Sequence, residues 1–236
     1  MPARPDRWVL FDLDGTLFDY DAAETAAVSA TLRAASLEPT PAVLSDYRRA
    51  NAEQWAALER GETNPGRLRI ERWERVLRRH GIDGVDTAAL SEHYIGQLAA
   101  GSQLMAGAEQ VVAEVARDHR VAFITNGLAD VQRPRLAGSG LQEAAEVIVI
   151  SDEVGAAKPD AAIFEAAFRQ MGQPTRDAVT MVGDSLSADI AGGAAFGLAT
   201  VWLAPAGTPD PGPDAVRPTH RIADLRELPA VLAPRA

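Results

Sequence analysis

Apolar residues along this chain fall into two alternating patterns. Trp8–Phe11, Val121–Ile124, Val147–Ile150, Ala178–Val182 and Ala199–Leu203 are short continuous apolar runs of strand length. Between them lie segments whose apolar residues recur at helical spacing. Ala108–Asp118 carries Val111, Val112 and Val115 on one face. Ala161–Met171 follows Pro159-Asp160, proline being favoured at a helix start, and Leu186–Phe196 follows Asp184-Ser185, which can cap it. Over Ala129–Ala137 the pattern is weaker, because Pro134 removes a backbone donor unless it lies in the first turn. Strands alternating with helices predict βαβ units and a mostly parallel sheet.

The first strand breaks this alternation. From about Phe18 to Ser102 the chain reads as helix only, over Asp21–Ser36, Pro41–Arg60, Pro65–His80 and Thr87–Ala100, with breaks at Pro39, Gly61 and Gly81-Ile82-Asp83-Gly84. That stretch is too long for a simple connection. It predicts an inserted helical domain, 18–102, seated at the carboxyl end of a sheet built from 1–17 and 103–236. Thr208–Pro218 is rich in Pro and Gly and reads as a surface loop, with a final helix over Ala223–Leu232. The predicted fold class is α/β: a Rossmann-like, mostly parallel core with a helical cap.

Composition narrows the function. A chain of 236 residues, 47% hydrophobic, can bury a full core and a second smaller one. A formal charge of −10 argues against wrapping a nucleic acid polymer, which needs a basic surface. Without cysteine there is no disulfide, thiolate metal site or cysteine nucleophile. No stretch approaches the roughly 18 apolar residues of a transmembrane helix, and the N-terminal apolar run is too short for a signal peptide. No membrane partner and a cytoplasmic location are the expectations.

Candidate chemistry collects at strand ends. Asp12-Leu13-Asp14-Gly15-Thr16 directly follows the first strand and places two carboxylates at its carboxyl end, where ligands bind in open α/β sheets. Acids this close imply a metal, a shared proton, or an exposed turn needing neither. Thr125-Asn126-Gly127 follows the second strand with a hydroxyl and turn amides. Lys158 stands before the Pro159 helix, and Gly183-Asp184-Ser185 follows the fourth strand, with Asp189 further on. Singly, each has a structural reading: β-former, solvated lysine, helix cap. Together they meet at one edge of one sheet. Of the tryptophans, Trp8 and Trp202 read as strand core, Trp73 as helix packing, and Trp55 as packing or recognition. His80, His93, His119 and His220 are scattered without ligand-like spacing. The chain holds neither a G-x-x-x-x-G-K-[ST] loop nor a G-x-G-x-x-G fingerprint, so ATP and dinucleotide binding have no support.

This set resembles the haloacid dehalogenase-like hydrolase superfamily. Asp12-Leu13-Asp14-Gly15-Thr16 matches its first motif, Thr125 its second, Lys158 its third, and Gly183-Asp184 through Asp189 its fourth. The insert placed just after the first motif resembles the C1-capped subgroup, and within it the bacterial pyrimidine 5′-nucleotidases. Tyr47, Asn51, Trp55, Gly61, Arg72-Trp73-Glu74 and Ile150-Ser151-Asp152-Glu153-Val154-Gly155 fall where those enzymes carry similar residues. Ala106, where proline is usual, and Pro134 depart from the pattern.

The resemblance implies a phosphatase that hydrolyses nucleoside 5′-monophosphates through an aspartyl-phosphate, with Mg²⁺ as cofactor and Mn²⁺ able to replace it. Asp12, the Asp14 main-chain oxygen and Asp184 would bind the metal, with Asp189 behind them or holding a metal-bound water. Oxygen donors suit magnesium, and no Cys or His cluster suits zinc. Asp12 would be the nucleophile, Asp14 the general acid and base, Lys158 the counter-charge, and Thr125 with Asn126 the phosphate cradle. Asn51, Trp55 and Arg72 would select the substrate. The expected partner is a small phosphate monoester, the expected assembly a monomer or homodimer. Rival readings are a sugar phosphate or phosphoglycolate phosphatase and a phosphomutase. A dehalogenase would lack an acid at Asp14.

Overall fold

The computed structural model describes residues 6–212 and 215–233; residues 1–5, 213–214 and 234–236 of the predicted core lie outside them. Six parallel strands form one sheet: β1 (Trp8–Phe11), β2 (Arg120–Thr125), β3 (Val147–Ile150), β4 (Val179–Gly183), β5 (Ala199–Leu203) and β6 (His220–Ile222). Their spatial order is β3-β2-β1-β4-β5-β6. β1 is central, with Leu10 beside Ala122 of β2 and Met181 of β4. The order reverses direction at β1, the switch point where α/β sheets bind ligands.

Alternation along the strands fills both faces. Val9 and Phe11 join Val121, Phe123, Val182 and Val201 on one face, under Val111, Val112 and Val115 of helix α5 (Ala108–Asp118). Trp8 and Leu10 join Ala122, Ile124 and Met181 on the other, under Ile163, Phe164 and Phe168 of α8 (Ala161–Met171). Strands buried on both faces read as continuous apolar runs, which is why β1 to β5 were visible in the sequence.

The chain divides into two compact units, one of Met1–Tyr20, Gln103–Ala129 and Leu136–Ala236, the other of Asp21–Ser102 and Asp130–Arg135. The second unit contains α2 (Pro41–Glu59), α3 (Pro65–Arg79), α4 (Thr87–Ala100) and nearly all of α1 (Tyr20–Ala34). Thr40, Asn64 and Asp86 cap α2, α3 and α4 through their side chains, and Pro41 and Pro65 open the first two of these. The unit's interior is aromatic: Tyr47, Trp73 and Tyr94 pack with ring centroids 4.5–5.8 Å apart. No helix among the described residues is long and apolar enough to cross a membrane.

Pro134 lies inside α6 (Ala129–Ser139), beyond its first turn. Three local expectations need correction. Pro159 precedes the start of α8 rather than opening it, and Asp160 caps the helix, its side chain accepting from the Ala162 amide at 2.9 Å. The predicted helix Leu186–Phe196 begins as a π-turn, Leu186–Ile190, before α9 (Ala191–Ala195). Between the Pro/Gly-rich loop and the final helix the chain adds β6, too short and polar to show as a strand in the sequence.

Candidate active site

Asp12 is the first residue beyond β1, and its amide still bonds to the Val182 carbonyl of β4 at 2.9 Å. The chain then turns tightly. The Leu17 and Phe18 amides both reach the carbonyl of buried Leu13 at 2.8 Å, and Gly15 takes a φ of 84°. That left-handed conformation favours glycine, and a Cβ on Gly15 would lie 2.5 Å from Asp184 Oδ2. The turn leaves Asp14 partly exposed and buries Thr16, whose hydroxyl donates to Asp184 Oδ1 at 3.3 Å.

Lys158 stands at the centre of the cluster, 1% exposed. Its ammonium donates to Asp12 Oδ1 at 2.6 Å, Asp189 Oδ1 at 2.7 Å and the Ile124 carbonyl at 3.0 Å. Asn126 fixes the lysine backbone from both sides: its Nδ2 donates to the Lys158 carbonyl at 2.8 Å, and its Oδ1 accepts from the Lys158 amide at 2.7 Å. The Asn126 side chain is therefore committed to Lys158, and its main-chain amide is what remains for a ligand. Thr125, 1% exposed, ends β2 beside it.

The π-turn supplies the remaining acid. Ser185 caps it, with Oγ accepting from the Ala188 amide at 3.1 Å, while the Ser185 amide donates to Asp189 Oδ2 at 3.0 Å. Asp189 folds back so closely that a Cβ on Gly183 would lie 2.2 Å from Asp189 Oδ2. Carboxylate oxygens of Asp12, Asp184 and Asp189 all lie within 4.8 Å of one another.

Three carboxylates face one ammonium, and the electrostatics follow. Burial raises Asp12 well above the usual carboxylate range, Lys158 opposes this, and the Asp189 and Asp184 charges add to it. The protein around Asp184 and then the Asp189 charge push that group up to about 6. Asp184 is exposed as a residue, which moderates the first cause and makes repulsion by Asp189 the firmer one. Burial disfavours the Lys158 ammonium, but Asp12 and Asp189 outweigh it and hold the group above its ordinary value. A site of hard oxygen donors with surplus negative charge fits a small divalent cation. The Asp14 side chain lies outside that carboxylate cluster.

The structure brings together Asp12, Asp184, Asp189 and Lys158, with Asn126 on the lysine backbone and Thr125 ending the neighbouring strand. In the helical unit, Asn51 and Arg72 belong to a separate network. Both are nearly buried; Arg72 Nη1 donates to Asn51 Oδ1 at 3.0 Å, and Asn51 Nδ2 donates to Glu24 Oε1 at 2.7 Å. The Arg72 guanidinium carbon lies 4.5 Å from the Tyr94 ring centroid. Trp55 is half-buried on α2. Sequence reasoning missed Glu24, although an acid one residue beyond Ala23 and three before Ala27, on the buried side of α1, was a usable signal.

A model of the haloacid dehalogenase-like hydrolase family matches residues 7–197. The pyrimidine 5′-nucleotidase YjjG of Escherichia coli is 32% identical over 95% of this chain and 97% of its own. The pyrimidine 5′-nucleotidase PynA of Streptococcus pneumoniae is 33% identical over 84% of each. Among solved structures, the magnesium-bound putative hydrolase YfnB of Bacillus subtilis superposes with a TM-score of 0.89 at 31% identity, covering 98% of this chain and 100% of that one.

Proposed function

The chain belongs to the haloacid dehalogenase-like hydrolases and is a phosphoric monoester hydrolase, and from that premise we propose a Mg²⁺-dependent 5′-nucleotidase acting on nucleoside 5′-monophosphates. The observation that carries the chemistry is the buried Lys158 ammonium bonded at once to Asp12 and Asp189, with the Asp184 carboxylate in the same cluster. The names of the two nucleotidase relatives support the substrate class.

A phosphate monoester dianion repels a carboxylate nucleophile, so the site must supply positive charge and fixed donors. Asp12, the Asp14 main-chain oxygen and Asp184, backed by Asp189, are the residues that would hold Mg²⁺ or Mn²⁺. When bound, the ion offsets the surplus negative charge of these acids and of the phosphate. Lys158 offsets the rest and orients Asp12 through Oδ1. Thr125 Oγ1 and the Asn126 main-chain amide hold phosphate oxygens.

A carboxylate oxygen of Asp12 attacks phosphorus, the ester P–O bond breaks, and the Asp14 carboxyl gives its proton to the departing 5′-oxygen. Asp14, now ionised, takes a proton from water. The resulting hydroxide attacks the aspartyl-phosphate and releases inorganic phosphate and the Asp12 carboxylate. Partial exposure of Asp14 suits a group that exchanges protons with both a leaving alcohol and water.

The segment 18–102 is assigned as a C1-type cap that selects the alcohol portion of the substrate. Within it, half-buried Trp55 is the residue to stack on a base, while buried Asn51 and Arg72 hold α2 and α3 in place around it. The test is a panel of nucleotides, deoxynucleotides, sugar phosphates and phosphoglycolate assayed with Mg²⁺ for free phosphate. Nucleoside 5′-monophosphates are expected to give the highest kcat/KM; a sugar phosphate or phosphoglycolate at the top would overturn the assignment. Isomerised ester in place of free phosphate would identify a phosphomutase.

A further inference from the structure

Trp202 reads in sequence as one more core residue of a strand, and the structure gives it a second task. It sits on β5 in register with Gly183 of β4, immediately before Asp184. Its indole N–H donates to the Asp184 main-chain oxygen at 2.8 Å. The ring is 3% exposed and packs with Ile190 and Ala204, with Leu186 against the same group. Leu186 and Ile190 are the two ends of the π-turn that carries Asp189. One side chain thus ties down the backbone of one acid by a hydrogen bond and both ends of the other acid's segment by packing. On the remaining side the Arg221 guanidinium lies 4.8 Å from the ring centroid, tethered to the Thr208 carbonyl at 2.5 Å.

We propose that Trp202 is a positioning residue that sets the Mg²⁺ affinity of the Asp12–Asp184–Asp189 cluster without itself being a ligand. The inference rests on reading that cluster as the Mg²⁺ site. Its logic is mechanical. Three crowded carboxylates repel one another and drift apart unless their backbones are braced. A site that must meet a small cation at fixed distances needs that bracing built in. Phenylalanine at 202 keeps most of the packing and removes the indole donor to the Asp184 main-chain oxygen. Loss of such an outer contact commonly costs 10–100-fold in metal affinity. A residue that only filled the core would change stability and leave the affinity of the folded protein alone.

The experiment is calorimetric titration of Mg²⁺ into metal-free wild type and Trp202→Phe, with thermal unfolding in chelator as the check on folding. The expected result is a Kd for Mg²⁺ about tenfold higher in the variant, and a smaller change in kcat at saturating Mg²⁺. Equal Kd values in two folded proteins would overturn the role of Trp202 and leave the metal site standing. A wild type that binds no Mg²⁺ would overturn the metal reading and this inference with it. Should the variant fail to fold, Mg²⁺ is titrated into ¹⁵N-labelled wild type. The Trp202 indole resonance must then move with the same Kd as calorimetry gives, and an unmoved resonance counts against the proposal.

Discussion

Each of the two units buries a charged cluster, and the clusters are built on opposite principles. In the helical unit, Arg72 and Glu24 are matched in charge and joined through the neutral amide of Asn51, with Arg72 lying over the Tyr94 ring. At the sheet edge, Asp12, Asp184 and Asp189 outnumber Lys158, and both Asp12 and Asp184 are raised above the ordinary carboxylate range. Burying charge is costly unless it is paired and hydrogen-bonded. A matched network balances its charge within the chain. An unmatched one carries its deficit until a ligand arrives. Imbalance, more than burial, separates the two clusters.

The largest test of this contrast is Asp12→Asn. Removing the nucleophile is expected to lower phosphate release by many powers of ten, to near background. Because it also relieves crowding, the melting temperature should hold or rise; wild-type turnover by the folded variant would refute the aspartyl-phosphate route. Stripping divalent cations with a chelator is expected to have a comparable effect, reversed by Mg²⁺ or Mn²⁺ and not by Ca²⁺, whose larger coordination shell misplaces the nucleophile. Full activity in chelator would end the metal assignment.

The next pair sets one cluster against the other. Lys158→Met and Arg72→Met each strip the cation from buried acids, at a cost of about 3–5 kcal/mol when a buried pair is broken. Urea unfolding should place both in that range, with Lys158→Met at its lower end because the raised Asp12 takes up a proton readily. Only Lys158→Met should also lose turnover of acetyl phosphate at temperatures where both remain folded. If Arg72→Met loses it equally, the helical network is no mere scaffold.

Trp55→Ala is expected to cost about 1–2 kcal/mol of base stacking, read as a lower kcat/KM for a nucleotide against an unchanged value for acetyl phosphate. Equal losses on the two substrates would make Trp55 a packing residue.

The smallest effect concerns pH. Burial raises the Asp46 carboxyl, but the His80 hydrogen bond and the Arg79 and Arg49 charges together outweigh it and lower its pKa. A carboxyl lowered on folding stabilises the protein above its unfolded value of 3.8, and that contribution fades as pH falls through the lower folded value. The melting-point gap between wild type and Asp46→Asn should therefore narrow from pH 6 toward pH 3; a constant gap would show that the ion pairs contribute nothing.

Much of this architecture was legible because burial on both faces writes β1 to β5 as apolar runs, and because Pro41 and Pro65 mark where helices begin. The motif acids were legible as types at strand ends. What escaped was whatever depends on a single contact or on a short, polar segment. β6 has three residues, one of them Arg221, and owes its place to pairing with β5. Asn51 and Arg72 read in sequence as substrate-selecting residues, and their bonds to each other and to Glu24 show only in the structure. Trp202 announces packing but not where its N–H points. The π-turn is indistinguishable in pattern from the helix it opens, since one extra residue shifts the hydrophobic face only slightly.

Lys158 is also the only lysine in the sequence; every other side chain of its charge class is arginine. The chain therefore carries a single side-chain amine, shielded at 1% exposure and held protonated by two carboxylates. Acylating reagents need a deprotonated, reachable amine, so modification of that side chain is expected to be slow in the folded protein and fast once the sheet edge opens. The rate at which one acyl group is acquired at Lys158 becomes a direct chemical clock for that opening.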